Sequence, residues 1–269
     1  ITHTYRDQIE RTSKAGTKPT VKIITINSDD LFIKANYQDF QRYNEADIAM
    51  AADSQATLPS LTEAVKRLTT DDRKRAFQDR AVRLKGSHMR ALESSRDAAA
   101  FAWDASPIST ARMCMELWSQ IQNEDWSLVG ATTFVSKWPQ RLWNFDKHYQ
   151  YIGGAGGYGI GYNAPAATGA ALANRKHGRL TVNIQCDGDL MFAPGILWTA
   201  AHHKIPLLHI MHNNRAYHQE VMQVQIMADR HSRGISNCGT GTTITGPDVS
   251  YAKLAESMGM YGEGPISDP

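Results

Sequence analysis

Leu180-Thr-Val-Asn-Ile-Gln185 runs without a break into Cys186-Asp-Gly-Asp189, and Leu207-Leu-His-Ile-Met-His212 runs the same way into Asn213-Asn-Arg-Ala216. Each is a largely apolar stretch of strand length that stops at a short polar turn. A helical pattern lies between them over Gly195 to His203, another precedes the first over Ala164 to Asn174, and a third strand reads over Trp126 to Gly130. Strands that alternate with helices predict an α/β fold: a parallel sheet covered by helices on both faces. Such sheets take ligands where their strands end at the carboxyl edge, and both polar turns fall there. If the two strand ends lie side by side, the Asp187 carboxylate and the Asn214 amide oxygen approach one point. Hard oxygens of that kind suit Mg²⁺, which draws its remaining ligands from phosphate and water. Asp, Asn and Gly are also ordinary turn residues, so either turn taken singly reads as structural.

Outward from this centre, Ser109 to Gln122 reads as an amphipathic helix with Met113, Met115, Leu117, Trp118 and Ile121 as its buried candidates. Cys114 in the same helix reads as a small core residue. Thr70 to Ala102 is densely charged and reads as a solvated helix. Before it, Leu58, Leu61, Ala64, Val65 and Leu68 recur at helical spacing over Thr57 to Leu68, with Pro59 suited to a first turn. Val21 to Asn27 and Ile48 to Ala52 read as strands. The expected organisation is therefore part of a second α/β domain over residues 1–70, a charged helical linker over 71–104 and the larger domain over 105–269.

Lys and Arg number 29 against 27 acidic residues in 269, a formal charge of +2, which gives no field for nucleic acid or an anionic membrane. The most apolar windows, such as Ile205 to Met211, are too short to cross a bilayer and are interrupted by His209. Three cysteines, Cys114, Cys186 and Cys238, fit a reducing compartment, so a cytoplasmic protein is expected. The chain opens on Ile1 and closes on Gly262-Glu-Gly-Pro-Ile-Ser-Asp-Pro269, so it is expected to be a fragment, a processed product or the ordered part of a longer polypeptide, truncated at its C-terminus.

An Asp-Gly turn, a helix, a strand and a double Asn, with Asp187 and Asn214 separated by 27 positions, resemble the thiamine diphosphate signature. The chain is similar to the thiamine diphosphate-dependent 2-oxo acid decarboxylases and acetolactate synthases from about Pro107 to Ser257. Leu197-Trp-Thr-Ala-Ala-His-His-Lys-Ile-Pro206 is especially similar to benzoylformate decarboxylase, and Val21 to Leu68 to the latter part of the family's middle domain. The resemblance implies that Asp187, Asn214 and the Ala216 carbonyl hold Mg²⁺ against thiamine diphosphate. It also implies that Gly188 and Asp189 offer backbone N–H groups to the phosphates, and that Tyr217 faces the same cavity. Cys186 stands where the family usually has Gly, which implies altered local packing rather than lost binding.

Upstream lies Gly153-Gly-Ala-Gly-Gly-Tyr-Gly-Ile-Gly-Tyr-Asn-Ala-Pro165. Gly154, Gly156 and Gly159 satisfy a GxGxxG spacing, which keeps an NAD-dependent oxidoreductase open. However, Asp146 to Tyr151 makes a poor buried strand, and no acidic residue follows at the ribose-binding distance. In the resemblance, Ile160 is the bulky residue that props the bent cofactor, although Met or Leu is commoner there, and the Tyr158 carbonyl accepts from its aminopyrimidine. Glu220, six positions beyond Asn214, is similar to a glutamate that assists proton transfer in some decarboxylases; an exposed helical Glu is the alternative. Thr132 and Thr133 are further candidates for phosphate contact. His202, His203, His209, His212 and His218 lack the spacing of a zinc helix, and His209 and His212 fall on opposite faces of their strand.

The implied activity is that of a Mg²⁺-dependent carbon–carbon lyase or ligase acting on a 2-oxo acid. It would decarboxylate, with release of an aldehyde or ligation to a second carbonyl as in acetolactate synthase. The implied partners are an N-terminal pyrimidine-binding domain of the same enzyme and further copies in a homodimer or homotetramer. A module that has kept the fold and lost catalysis is the other reading.

Overall fold

The computed structural model describes residues 4–6, 13–15, 18, 20–28, 46–154 and 159–269. The chain divides into two units, Ile1–Gly86 and Ser87–Pro269. In the first, β1 (Thr4–Arg6) pairs antiparallel with β2 (Ser13–Ala15), a hairpin the sequence reading does not anticipate. β3 (Ile24–Asn27) pairs parallel with β4 (Ile48–Ala51), and the Ser54 hydroxyl donates to the Ile26 carbonyl at 2.8 Å. The polar Asp29 and Asp30, which read as a turn ending β3, lie outside the described residues.

Helix α1 (Ser54–Leu68) begins three residues before the expected Thr57, because the Asp53 carboxylate accepts the Ala56 N–H at 2.8 Å and fixes the start there. Pro59 consequently sits inside the helix rather than in its first turn. Helix α2 (Asp71–Ala100) opens with Asp71 and Asp72, whose charges complement the helix dipole and pair with Lys74 and Arg75. Ala99 is its one buried residue.

The second unit is built on a sheet of β5 (Trp126–Val129), β6 (Tyr151–Ile152), β7 (Leu180–Cys186) and β8 (Leu208–His212), in the order β6-β5-β7-β8, with every pair parallel. β6 is a two-residue exposed edge strand, matching the weak strand character of its sequence. The helices are α3 (Thr110–Ile121), α4 (Trp138–Leu142), α5 (Asn163–Asn174), α6 (Asp187–Leu190), α7 (Ile196–His202), α8 (His218–Arg230) and α9 (Tyr251–Ser257).

Alternation along β7 sorts its two faces. Val182 and Ile184 join α3, α4 and β5 in one apolar cluster. Thr181, on the opposite face, accepts from Asn174 of α5 at 2.9 Å. The sheet is thus covered on both sides, as the strand–helix alternation predicts. α3 starts at a Ser109 cap and buries Ala111, Cys114, Leu117 and Ile121, while Met113, Met115 and Trp118 are only partly buried. Cys114 is fully buried, which pushes its thiol up to about 12. Trp118, Trp126, Trp143 and Phe145 form an aromatic cluster, and the Trp143 indole N–H donates to the Cys114 carbonyl at 3.0 Å.

Candidate functional site

Strand pairing brings the two polar turns together. Cys186 is the register partner of His212, so Asp187 and Asn213 leave the carboxyl edge of the sheet side by side, with Asn214 one residue on. β7 and β8 are held in that register by their hydrogen-bonded ladder, which fixes the neighbourhood of the turns without help from a ligand.

Asp187 opens α6 and is completely buried, yet neither carboxylate oxygen has a hydrogen-bond partner. An ionised carboxylate is costly to bury alone, so this position calls for a cation. The His212 Nδ1 and the Tyr251 hydroxyl are also buried and unpartnered. Burial lowers the His212 imidazole and raises the Tyr251 phenol, and the Asp187 charge raises both. Gly188 follows Asp187 because the ring of Tyr217 lies directly over it: a Cβ there would stand 2.7 Å from the Tyr217 Cδ1. Phe192 meets the same ring edge to face at 5.8 Å. Cys186 has φ −90° and ψ 150°, an extended backbone open to any residue, so nothing at this position demands the family's glycine. Burial pushes its thiol up to about 11.

The second turn is shaped by its own asparagines. Asn213 Oδ1 accepts the Arg215 N–H at 3.3 Å and Asn214 Oδ1 accepts the Ala216 N–H at 3.1 Å. Tyr217 N–H donates to Thr242 and Ile244 N–H to Arg215, which ties the turn to the chain beyond α8. Asn214 is exposed, and an amide oxygen retains a second lone pair for an ion. In their chemistry the residues at the two turns fit Mg²⁺: the unpartnered Asp187 carboxylate with neutral amide and carbonyl oxygens at Asn214 and Ala216 is the hard-oxygen kind of set such an ion takes.

Ile160 is 48% exposed, close to the sheet's carboxyl edge through Gly161, whose N–H donates to Asp189. Tyr158 and Gly156 lie outside the described residues. Glu220 is half-buried in the first turn of α8. Thr132 is buried and donates to Gln140 Oε1 at 2.7 Å, so its hydroxyl braces the turn after β5. Thr133, beside it, is exposed at the start of a 3-10 turn. His209 shares a register position with Asn183, and burial pushes its imidazole down to about 4, leaving it neutral at physiological pH. Among the described residues no group of three His, Cys, Asp or Glu side chains is placed to hold a metal, and no helix is long and apolar enough to cross a membrane. A cleft of about 550 Å³ in the first unit, lined by Leu61, Val65 and Phe77, includes none of the candidate residues.

Residues 131–268 match the family described as "Thiamine pyrophosphate enzyme, C-terminal TPP binding domain". The chain belongs to this family. A Mycobacterium tuberculosis protein named "Putative acetolactate synthase large subunit IlvX" is 32% identical over 107 residues, which is 39% of this chain and 20% of that protein. Two solved structures are similar in fold. The Rhodococcus jostii RHA1 thiamine diphosphate-dependent 4-hydroxybenzoylformate decarboxylase has a TM-score of 0.49 and 23% identity, covering 58% of this chain and 27% of its own. The benzoylformate decarboxylase of Polynucleobacter necessarius has a TM-score of 0.49 and 18% identity, covering 59% and 28%. The chain thus spans about a fifth of the curated relative and about a quarter of each structure.

Thiamine pyrophosphate is another name for thiamine diphosphate, the ligand the sequence resemblance implies. Sequence reading of this thiamine pyrophosphate-binding domain family member misses three features of the site. Tyr251 opens a helix that the periodicity does not reveal, Phe192 packs on Tyr217, and the side chain of Asp189 has partners of its own. A conspicuous Asp-Gly-Asp is the available signal for the last of these.

Proposed function

We propose that this chain supplies the diphosphate- and Mg²⁺-holding half of a thiamine diphosphate-dependent enzyme that breaks or forms a carbon–carbon bond at a 2-oxo acid. The observation that carries this reading is the buried Asp187 carboxylate with two free oxygens at the paired strand ends. Asp187, Asn214 and the Ala216 carbonyl would hold the ion, while the N–H groups of Gly188 and Asp189 would meet the diphosphate. When bound, thiamine diphosphate supplies the electron sink that makes loss of CO₂ from a 2-oxo acid feasible. Ile160 would prop the cofactor, by the family resemblance the Tyr158 carbonyl would accept from its aminopyrimidine, and the Tyr217 ring lies over Gly188.

Glu220 moves a proton at the substrate-derived carbon after CO₂ has left. Glu220→Gln is expected to keep cofactor affinity and to slow turnover roughly 10²–10⁴-fold, the usual worth of general acid–base catalysis. Steady-state rates per bound cofactor check this; a variant with the wild-type rate removes Glu220 from the mechanism.

The rest of the active site comes from an N-terminal pyrimidine-binding domain in a cytoplasmic homodimer or homotetramer. Exposed Ile160, Phe192, Trp198 and Met222 support an assembly that covers apolar surface in the second unit. Product analysis of the full-length protein, N-terminal domain included, with pyruvate, benzoylformate and oxalyl-CoA tests the reaction type. An aldehyde assigns a decarboxylase, a hydroxy ketone assigns a ligase, and turnover of none contradicts the enzymatic reading.

A further inference from the structure

Two carboxylates stand two positions apart at the end of β7 and meet opposite fates. Asp187 is left without a partner. The Asp189 carboxylate is fully engaged: Oδ1 accepts the Gly161 N–H at 2.6 Å, and Oδ2 accepts the Asn163 N–H at 3.2 Å and the Gln185 Nε2 at 2.8 Å. A free carboxylate next to a diphosphate would repel it, and here three N–H donors compensate the charge instead.

The support continues down the strand. Gln185 Oε1 accepts from Asn183 Nδ2 at 2.9 Å, and Asn183 Nδ2 lies 2.9 Å from His209 Nδ1. Asn183 and Gln185 alternate on one face of β7, both fully buried, and His209 is the register partner of Asn183 on β8. A buried polar chain therefore runs along the sheet and ends on the backbone immediately after Ile160. Gly161 is pinned there from the other side, since it has φ +90° and a Cβ would meet the Phe192 Cβ at 2.9 Å. Apolar side chains could have filled this face of the sheet, as they do the opposite one. The polar chain instead links side chain to side chain from His209 to Asp189, with Asn183 Oδ1 and His209 Nε2 left over, and so favours one arrangement of the segment it holds.

We propose that Asp189 is a positioning residue: its carboxylate locks the diphosphate–metal turn to the Gly161–Asn163 backbone and so fixes where Ile160 stands relative to that turn. This rests on the cofactor reading above. The Asp189 backbone serves the diphosphate, and its side chain serves the part of the site that receives the rest of the cofactor.

The test compares two ligands on the same protein by titration calorimetry with Mg²⁺ present: inorganic diphosphate, which needs only the turn, and thiamine diphosphate, which also needs Ile160. Asp189→Asn keeps the backbone but sets an NH₂ group against N–H donors. It is expected to bind inorganic diphosphate within about threefold of wild type and thiamine diphosphate about 10–100-fold more weakly, the scale of losing a buried supporting hydrogen bond. Hydrogen exchange in the unliganded protein is expected to show faster exchange at Gly161 and Asn163. Gln185→Leu, which leaves both loop amides their acceptor, is expected to act in the same direction with a smaller effect, and it carries the test if Asp189→Asn does not fold. Equal weakening of both ligands would show that Asp189 merely holds the turn together and would overturn the proposal. Unchanged thiamine diphosphate affinity, or unchanged exchange at Gly161 and Asn163, would overturn it too. Wild-type protein that binds inorganic diphosphate and not thiamine diphosphate would sink the cofactor reading itself, an outcome distinct from any difference between variants.

Discussion

Asp187→Asn is expected to abolish Mg²⁺-dependent cofactor retention and, in the same molecule, to raise the thermal stability of the metal-free protein. Both effects follow from one fact: the Asp187 carboxylate is fully buried and neither of its oxygens is bonded. Without an ion the charge is uncompensated, and a neutral amide of the same shape removes that cost. With an ion present the carboxylate is the one charged ligand in the donor set, so its loss should weaken binding roughly 10²–10⁴-fold, the equivalent of breaking a buried charge pair. The gain without metal should raise the melting temperature by about 2–4 °C for each kcal/mol recovered. Melting curves with Mg²⁺ and with chelator check the pair of signs. A variant that is destabilised with and without metal would make Asp187 a structural residue.

Trp126→Ala is expected to cost the second unit more stability than substitution of Asp187, Asp189 or Glu220. Trp126 is 1% exposed at the start of β5 and meets the rings of Trp118, Trp143 and Phe145 edge to face at 5.7, 5.7 and 5.3 Å. These neighbours hold one another in place, including a stacked Trp118–Trp143 pair at 5.4 Å, and cannot collapse into the space left behind. The cost should be about 3–5 kcal/mol, as for other buried aromatic truncations. Trp126 lies at the opposite end of β5 from the site, so ligand affinity per folded molecule should stay near wild type. Denaturant unfolding gives the stability change, and a loss below about 1 kcal/mol would mean that the cluster does not support this unit.

The sheet is legible in the sequence because its strands carry their own signal. β7 and β8 are strand-length, largely apolar runs that break off at Asp-Gly-Asp and Asn-Asn, and that punctuation marks both the strand ends and the site. The face of α3 is less legible. Its buried stripe holds the expected Leu117 and Ile121 together with the small Ala111 and Cys114, while the larger Met113, Met115 and Trp118 are only partly buried. Hydrophobicity alone favours the larger side chains over the ones that fit. The start of α1 is displaced from its expected place because Pro59 is a plausible first-turn residue, and the competing signal is a single capping aspartate.

The partners of Asp189 cannot be inferred from sequence, because a carboxylate bonded to backbone N–H groups more than twenty positions upstream leaves no side-chain pattern to read. Tyr251 escapes notice for a related reason. Its seven-residue helix is too short to establish a period, and its buried hydroxyl makes no bond that would identify a partner.

The most direct test is titration of the protein with thiamine diphosphate, first with Mg²⁺ present and then after chelation. The account predicts saturable binding at one site per chain with the ion and its loss without it, because the buried Asp187 carboxylate has no other means of meeting an anionic ligand. Tight binding that persists after chelation, or no binding with Mg²⁺ present, would contradict it.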